Sequence, residues 1–282
     1  MKIKMNRNTG LLLVLAGAIA FSLGGVFIKF IPWNPMAING GRCIFSSLMI
    51  AAFMYLSGHK IKVNKTVMLG ALCVGLMLLC YVASMKLTSA ANAIVLEYTA
   101  PIFVIIFEAI IFQRRIHKLD VIVCLLVLLG IGIVVIDGLG EGHLLGDVIA
   151  LTSGVFYAFT IMLNEFENGD NLSSVLFGHI LMAIIGFPFF LLESSYSASA
   201  IVLVVCLGIF QAGAGYTLLS VGLRYADPIP ASMIASVEPV LNPILVALFY
   251  HEKIGINAII GGLIVIISIA VYNILLLKQE KR

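Results

Sequence analysis

Apolar runs of about membrane-spanning length follow one another along the chain, with only short polar stretches between them. Ten are read, near 10–31, 35–57, 66–87, 90–112, 119–137, 146–163, 172–192, 200–222, 230–250 and 256–277. A helix needs about 20 apolar residues to cross a bilayer core. In lipid every backbone N–H and C=O must pair internally, so each run is predicted as a helix. Basic Met1–Arg7 and the Ala18-Ile19-Ala20 triplet look like a cleavable signal. The apolar run continues to Phe30, however, so it is expected to stay as the first span. Ten spans fill most of the 282 residues and leave no room for a soluble domain. The fold class predicted is an all-α membrane protein with ten transmembrane helices.

Composition removes other classes. The chain is 61% apolar and 11% charged, with mean hydropathy +1.13. Soluble domains carry about 25% charged residues. A cytosolic enzyme, a disordered chain and a disulfide scaffold are therefore excluded. The net charge of +3 gives no basis for nucleic acid binding. Cys43, Cys73, Cys80, Cys124 and Cys206 all lie in apolar runs without a CxxC pair, which points to packing rather than a metal or redox centre. There is no Walker A, HExxH or GxSxG motif. Gly138–Gly142 reads GLGEG, but without a βαβ setting it does not suggest a nucleotide site. No enzyme activity, metal or cofactor is expected. The partners expected are a small-molecule substrate and the bilayer; oligomeric state is not readable.

Positive residues orient the chain. With the N-terminus inside, the cytoplasmic side receives Lys2, Lys4, Arg7, Lys60, Lys62, Lys65, Arg114, Arg115, Lys118, Arg224, Lys278, Lys281 and Arg282. The outer connections receive Lys86 and Lys253. Both termini are thus expected in the cytoplasm, across a cell (inner) membrane. One inner loop, 164–171, runs against the trend with Glu165, Glu167 and Asp170.

The two halves match at an offset of 138 residues. Gly70 meets Gly208, Gly75 meets Gly213, Lys86 meets Arg224, Ala93 meets Ala231 and Pro101 meets Pro239. Five helices per copy is odd, so the second copy enters the membrane in the opposite sense. Repeats over 1–140 and 141–282 are expected, in the inverted arrangement of many secondary transporters, with substrate near the midplane between them.

The segments YVASMKLTSAANAIVLEYTAPIFVIIFEAIIFQRRI (81–116) and VGLRYADPIPASMIASVEPVLNPILVALFYHEKIGINAIIGGLIVIISI (221–269) resemble the drug/metabolite transporter superfamily, in its ten-helix EamA-type branch. The carrying features are the small-residue helix start, the proline in the following helix and the closing acid, Glu252. Arg114 stands where the first copy would carry that acid. The resemblance implies movement of small metabolites or drugs, often outward, and names no substrate.

Ionisable groups inside spans are costly and mark candidate sites. Glu97 and Glu108, three helical turns apart, are expected on one face of the fourth span. Glu97 is read either as a substrate or proton-coupling carboxylate or as the partner of Arg42 or Lys29. Glu108 is read as a solvated or paired helix end. Glu238 lies mid-span in the ninth run with Asn242 one turn on, and Pro239 and Pro243 predict a bend there. Arg42 and His179 sit near the 138-residue offset, as a carboxylate clamp and a titratable group or as packed residues. Asn39, Tyr81, Asn92, Tyr157, Gln211 and Tyr216 are candidates to line a cavity, or to join helices. Trp33 is assigned to an interfacial aromatic belt. The function read is a secondary transporter or exporter of a small metabolite, an amino acid or similar, working by alternating access with possible proton coupling. The alternatives are a membrane-embedded enzyme and a non-transporting sensor. Cysteine scanning in intact cells tests the orientation: a thiol at Ser197 is expected to react with an impermeant reagent and one at Asn64 is not, and the reverse pattern would invert it.

Overall fold

The computed structural model describes residues 6–88, 90–136, 144–193, 196–250 and 256–279. Gly138–Gly142, Glu252 and Lys253 lie outside the described residues. The secondary structure is helical throughout the described chain. The helices are α1 (Arg7–Ser22), α2 (Gly24–Lys29), α3 (Pro35–Ser57), α4 (Lys65–Leu87), α5 (Ala90–Glu97), α6 (Ala100–Ile110) and α7 (Lys118–Val135) in the first half. The second half holds α8 (Leu144–Met162), α9 (Asn171–Leu191), α10 (Ala198–Cys206), a π-helical segment (Leu207–Ala214), α11 (Gly215–Gly222), α12 (Pro228–Ala235), α13 (Glu238–Tyr250) and α14 (Ile256–Gln279). They group into the ten expected spans, five per half. Local chemistry sets several starts: the side chains of Asn6, Asn34, Asn64, Asp170 and Ser197 each accept a backbone N–H from the first turn they precede.

Four spans are broken where continuous helices are expected. The first is interrupted at Leu23 and the eighth passes through the π-helical segment. The fourth breaks at Tyr98–Thr99 and the ninth at Ser236–Val237, again 138 residues apart. Each break precedes an equivalent proline, Pro101 or Pro239, in the first turn of the next helix. A proline is tolerated there because its missing N–H would have had no helical partner.

Helix contacts obey the same two-fold relation. The second span packs on the seventh (α3 on α9), and the fifth on the tenth (α7 on α14). The third packs on the sixth (α4 on α8), and the first on the eighth (α1 on α11). Exchanging the halves maps these four contacts onto themselves, as inverted five-helix repeats require. Close crossings use glycine. A Cβ on Gly40 of α3 would lie 2.5 Å from the backbone of Gly186 on α9. A Cβ on Gly222 of α11 would lie 2.6 Å from the Gly10 carbonyl oxygen on α1. Without a hydrophobic drive in lipid, such backbone approach is a main source of helix association.

The loops also close in pairs. At one end the connection after α3 lies along that after α8: Asn64 Nδ2 donates to the Asn168 carbonyl at 3.0 Å, and Thr66 Oγ1 to that of Glu167 at 3.0 Å. At the other end the Asn34 N–H donates to Glu193 at 3.0 Å, and Trp33 packs edge-on against Phe190 and Tyr196. Trp33 is only 6% exposed, so it is a packed residue rather than part of an open aromatic belt.

Two acids of loop 164–171, Glu165 and Asp170, are balanced by basic neighbours. Asp170 accepts from His59 Nε2 at 2.8 Å and from Arg224 at 3.2 Å, and Arg114 pairs with both Glu165 and Glu108. Burial by itself would raise the Asp170 carboxyl. Hydrogen bonds from Ser173 and His59 and the charges of His59 and Arg224 outweigh it and hold the group below its ordinary value. Such a carboxyl stabilises the fold above its unfolded pKa, and the gain is lost as pH falls through the folded one. Asp170→Asn is therefore expected to lower stability by about 1–3 kcal/mol at neutral pH, with the gap to wild type closing in acid. Thermal unfolding across a pH series checks this; a gap that widens in acid would contradict it.

Candidate functional site

The two broken spans meet. The break in the fourth span leaves Glu97 as the last residue of α5 and Tyr98 in the turn; the break in the ninth makes Glu238 the first residue of α13. The Tyr98 hydroxyl donates to Glu238 Oε2, joining the halves through their interruptions. The turn at the first break is satisfied by Tyr98 N–H to the Ile94 carbonyl at 3.0 Å and Thr99 N–H to that of Leu96 at 3.3 Å. At the second, the Ser236 N–H bonds to Ser232 and Met233 carbonyls. The start of α13 presents the positive end of a helix dipole, which favours a carboxylate in its first turn.

Glu97 accepts from Ser153 Oγ of α8 at 2.9 Å, and that hydroxyl also reaches the Met77 carbonyl at 3.1 Å. The alternative pairing with Arg42 is not formed; the side chain of Lys29 lies outside the described residues. Arg42 is 5% exposed on α3. Its Nε donates to Asn39 Oδ1 at 3.0 Å, and no carboxylate lies in ion-pair range of it among the described residues. A charge in a membrane interior costs about 2.5–3.5 kcal/mol even on insertion scales. A guanidinium left there with its terminal nitrogens unmatched by a carboxylate is a ready anion receptor.

Arg42, Glu97 and Glu238 lie within electrostatic reach of one another, and Tyr81 on α4 lies within the same reach of all three. Tyr157 of α8 meets Tyr98 edge-on at 6.2 Å and lies near both acids. A cavity of about 70 Å³ opens beside this group, lined by Ile28, Asn39, Arg42 and Tyr81 among others. His179 of α9 is fully buried. Its Nδ1 donates to the Val175 carbonyl at 2.9 Å, its Nε2 has no hydrogen-bond partner, and its ring meets Tyr216 at 4.9 Å. Gln211 lies in the π-helical segment against Gly24, with Oε1 unpartnered. Asn39 Nδ2 is unpartnered as well. Buried polar atoms are rarely left so, and these three edge the same central region. A π-helical turn is often found at a functional site.

The expected residues thus fall into two sets. Glu97, Glu238, Arg42, Asn39, Tyr81 and Tyr157 converge, with His179 and Gln211 at the margin. Asn92 and Asn242 lie on α5 and α13, but their side chains are outside the described ones. Glu108 is 1% exposed and paired with Arg114 at 3.0 Å, away from the site. Sequence reading missed Tyr98 and Ser153. The signal for Tyr98 was present: it stands three residues before a repeat-matched proline and next to a membrane-buried acid.

Three comparisons bear on the chain. It matches the EamA-like transporter family twice, over residues 8–136 and 144–274. It is 27% identical over 197 residues to a Clostridium kluyveri protein named an uncharacterised transporter, covering 64% of this chain and 62% of that one. It is 27% identical over 175 residues to human solute carrier family 35 member G1, covering 55% and 47%. The chain therefore spans less than two thirds of the length of these two relatives. An Archaeoglobus fulgidus protein, also named an uncharacterised transporter, is 21% identical over 261 residues, 92% and 94% of the two chains. A solved crystal structure superposes with TM-score 0.83 at 16% identity, over 96% of this chain and 99% of that one, which shows a shared fold.

Water access to the central group is testable. In a cysteine-free background, Tyr81→Cys is expected to react with a small methanethiosulfonate reagent, whereas Ile50→Cys, at a fully buried position of α3, is not. Equal inertness of the two would argue against an open cavity.

Proposed function

The chain belongs to the EamA-like transporter family, and from that premise we propose that it is a secondary transporter or exporter carrying a small organic metabolite, an amino acid or similar solute, across the cell membrane. At the coarser level it is a multi-pass membrane transporter. The domains are proposed as 1–140 and 141–282, with both termini in the cytoplasm.

One observation carries the reading. The interrupted helix of each repeat contributes a group to a single contact, Tyr98 with Glu238, beside a buried Arg42 that has no carboxylate partner among the described residues. A site built from both repeats changes its access when one repeat rocks against the other, which is alternating access. The unmatched guanidinium suits a solute carboxylate, and Glu97 and Glu238 suit an ammonium group. Glu238 is also placed to exchange its Tyr98 hydrogen bond for a proton, which would couple transport to a proton gradient. In the conformation described, the basic end is tied by contacts between repeats: Arg114 with Glu165, His59 with Asp170, and Arg7 with Asp227 at 3.3 Å. Opening that end requires these to part.

Sealed proteoliposomes test the proposal. Wild-type protein is expected to show counterflow of at least one amino acid or similar metabolite, and an imposed pH gradient is expected to drive uptake. Glu238→Gln is expected to lower the gradient-driven rate about tenfold, equivalent to about 1.4 kcal/mol, while counterflow persists. Proton-driven uptake unchanged in Glu238→Gln removes that residue as the coupling group. Absence of any counterflow across a broad metabolite panel removes the transport reading itself.

A further inference from the structure

Two recesses meet at the basic end of the bundle, away from the central site. One is a polar cavity of about 540 Å³ between α1, the connection from α6 to α7, α12 and α14; Arg7, Arg115, Asp120, Asp227 and Tyr272 are among its lining. The other is an apolar crevice of about 310 Å³ lined by Leu11, Leu12, Leu15, Ile234 and Ile269. Arg7 lines both. From Arg7 to Leu15 the helix rises about 12 Å, so the crevice runs from the ionic level down into the hydrocarbon. Leu12 is 65% exposed, so the crevice opens toward lipid.

The charges in the polar cavity sort themselves. Arg114 is taken by Glu108 and Glu165. Asp120 accepts from the Tyr272 hydroxyl at 2.6 Å and from the His117 N–H at 3.0 Å. Arg7 faces Asp227 through Nε at 3.3 Å, yet the Asp227 side chain is 67% exposed and keeps acceptor capacity. Arg115 has no ion-pair partner among the described residues. Among the described residues, what remains on offer is the Arg115 guanidinium and the Asp227 carboxylate, which line the same polar cavity.

We propose that these joined recesses bind one glycerophospholipid of the adjoining leaflet, with a phosphate and a primary ammonium in its headgroup, as in phosphatidylethanolamine. Arg115 takes the phosphate through its planar fork of donors. Asp227 accepts from the ammonium. An acyl chain fills the slot between α1, α12 and α14. A purely anionic headgroup would leave the exposed acceptor capacity of Asp227 unused, and a trimethylammonium group has no N–H to donate to it. The bound lipid would bridge α1 to α12, the half of the ninth span that leads to the break before Glu238. The proposal stands on this surface alone and does not depend on which solute the central site takes.

Native mass spectrometry of the delipidated full chain in detergent tests it, with dioleoyl phosphatidylethanolamine, dioleoyl phosphatidylcholine and chain-free glycerophosphoethanolamine as probes. One phosphatidylethanolamine is expected to be retained at about tenfold lower concentration than phosphatidylcholine, reflecting the charge-assisted hydrogen bonds of the ammonium. The chain-free headgroup is expected not to bind. Arg115→Gln and Leu12→Trp are each expected to weaken retention about tenfold without lowering thermal stability, the first by removing the phosphate partner and the second by filling the slot. Equal retention of the two lipids, retention untouched by both substitutions, or binding of glycerophosphoethanolamine as tight as that of the lipid would overturn the proposal.

Discussion

A bilayer interior offers no water to a bare amide or carbonyl, so a helix interrupted there must satisfy its loose ends within the protein. This chain interrupts the fourth and ninth spans at repeat-matched turns and meets the demand locally, with turn hydrogen bonds before each break and a proline in the first turn after it. The polar site follows from that arrangement. A helix start placed mid-membrane supplies a partial positive charge, and Glu238 occupies its first turn. A helix end frees the turn from which Tyr98 reaches across to the other repeat. Were the spans continuous, the acids would lie on an ordinary helix face, with no reason for the two halves to meet through them.

The fold was largely legible because bilayer physics is one-sided. Twenty apolar residues in a row have few other uses, and an odd number of spans per repeat fixes inversion by counting. Pro101 and Pro239 signalled that something happens at those positions, but a proline allows a kink, a bend or a break. Whether the helix restarts depends on side chains from other spans, such as Ser153 holding Glu97. Pairings were less legible for the same reason. Glu97 had two cationic candidates by depth, yet it takes a neutral hydroxyl, because depth along a span says nothing about rotation around it. Trp33 shows the same limit: its burial comes from Phe190 and Tyr196, distant in sequence.

The scaffold is symmetric and its chemistry is not. At the 138-residue offset Glu238 corresponds to Ala100, and Glu97 to Ala235. Arg42 finds His179 near its equivalent place, a group buried with one ring nitrogen unpartnered. A strict copy would double each ionisable group and with it a membrane cost of several kcal/mol per charge. Divergence keeps the two-fold relation of the helices, while each charge appears once.

The same economy governs the basic end. Cations concentrated there orient the chain, but they would repel one another if that end closed unaided. Two of the acids in loop 164–171 of the second repeat, Glu165 and Asp170, meet Arg114 and His59 from the first. Closure therefore needs both halves, and no single repeat can make these contacts alone. The strength of the closure is limited by solvation. In the pairs between repeats, Arg114 and Glu165 keep 47% and 21% of their side chains exposed and Arg7 and Asp227 keep 20% and 67%, whereas His59 and Asp170 keep 14% and 6%. Pairs of this kind gain Coulomb energy but give up hydration, and the two nearly cancel. Parting them returns water to both ions, so the step costs far less than the sum of the contacts broken. A closure built from half-hydrated pairs therefore holds the arrangement described without a large net stabilisation.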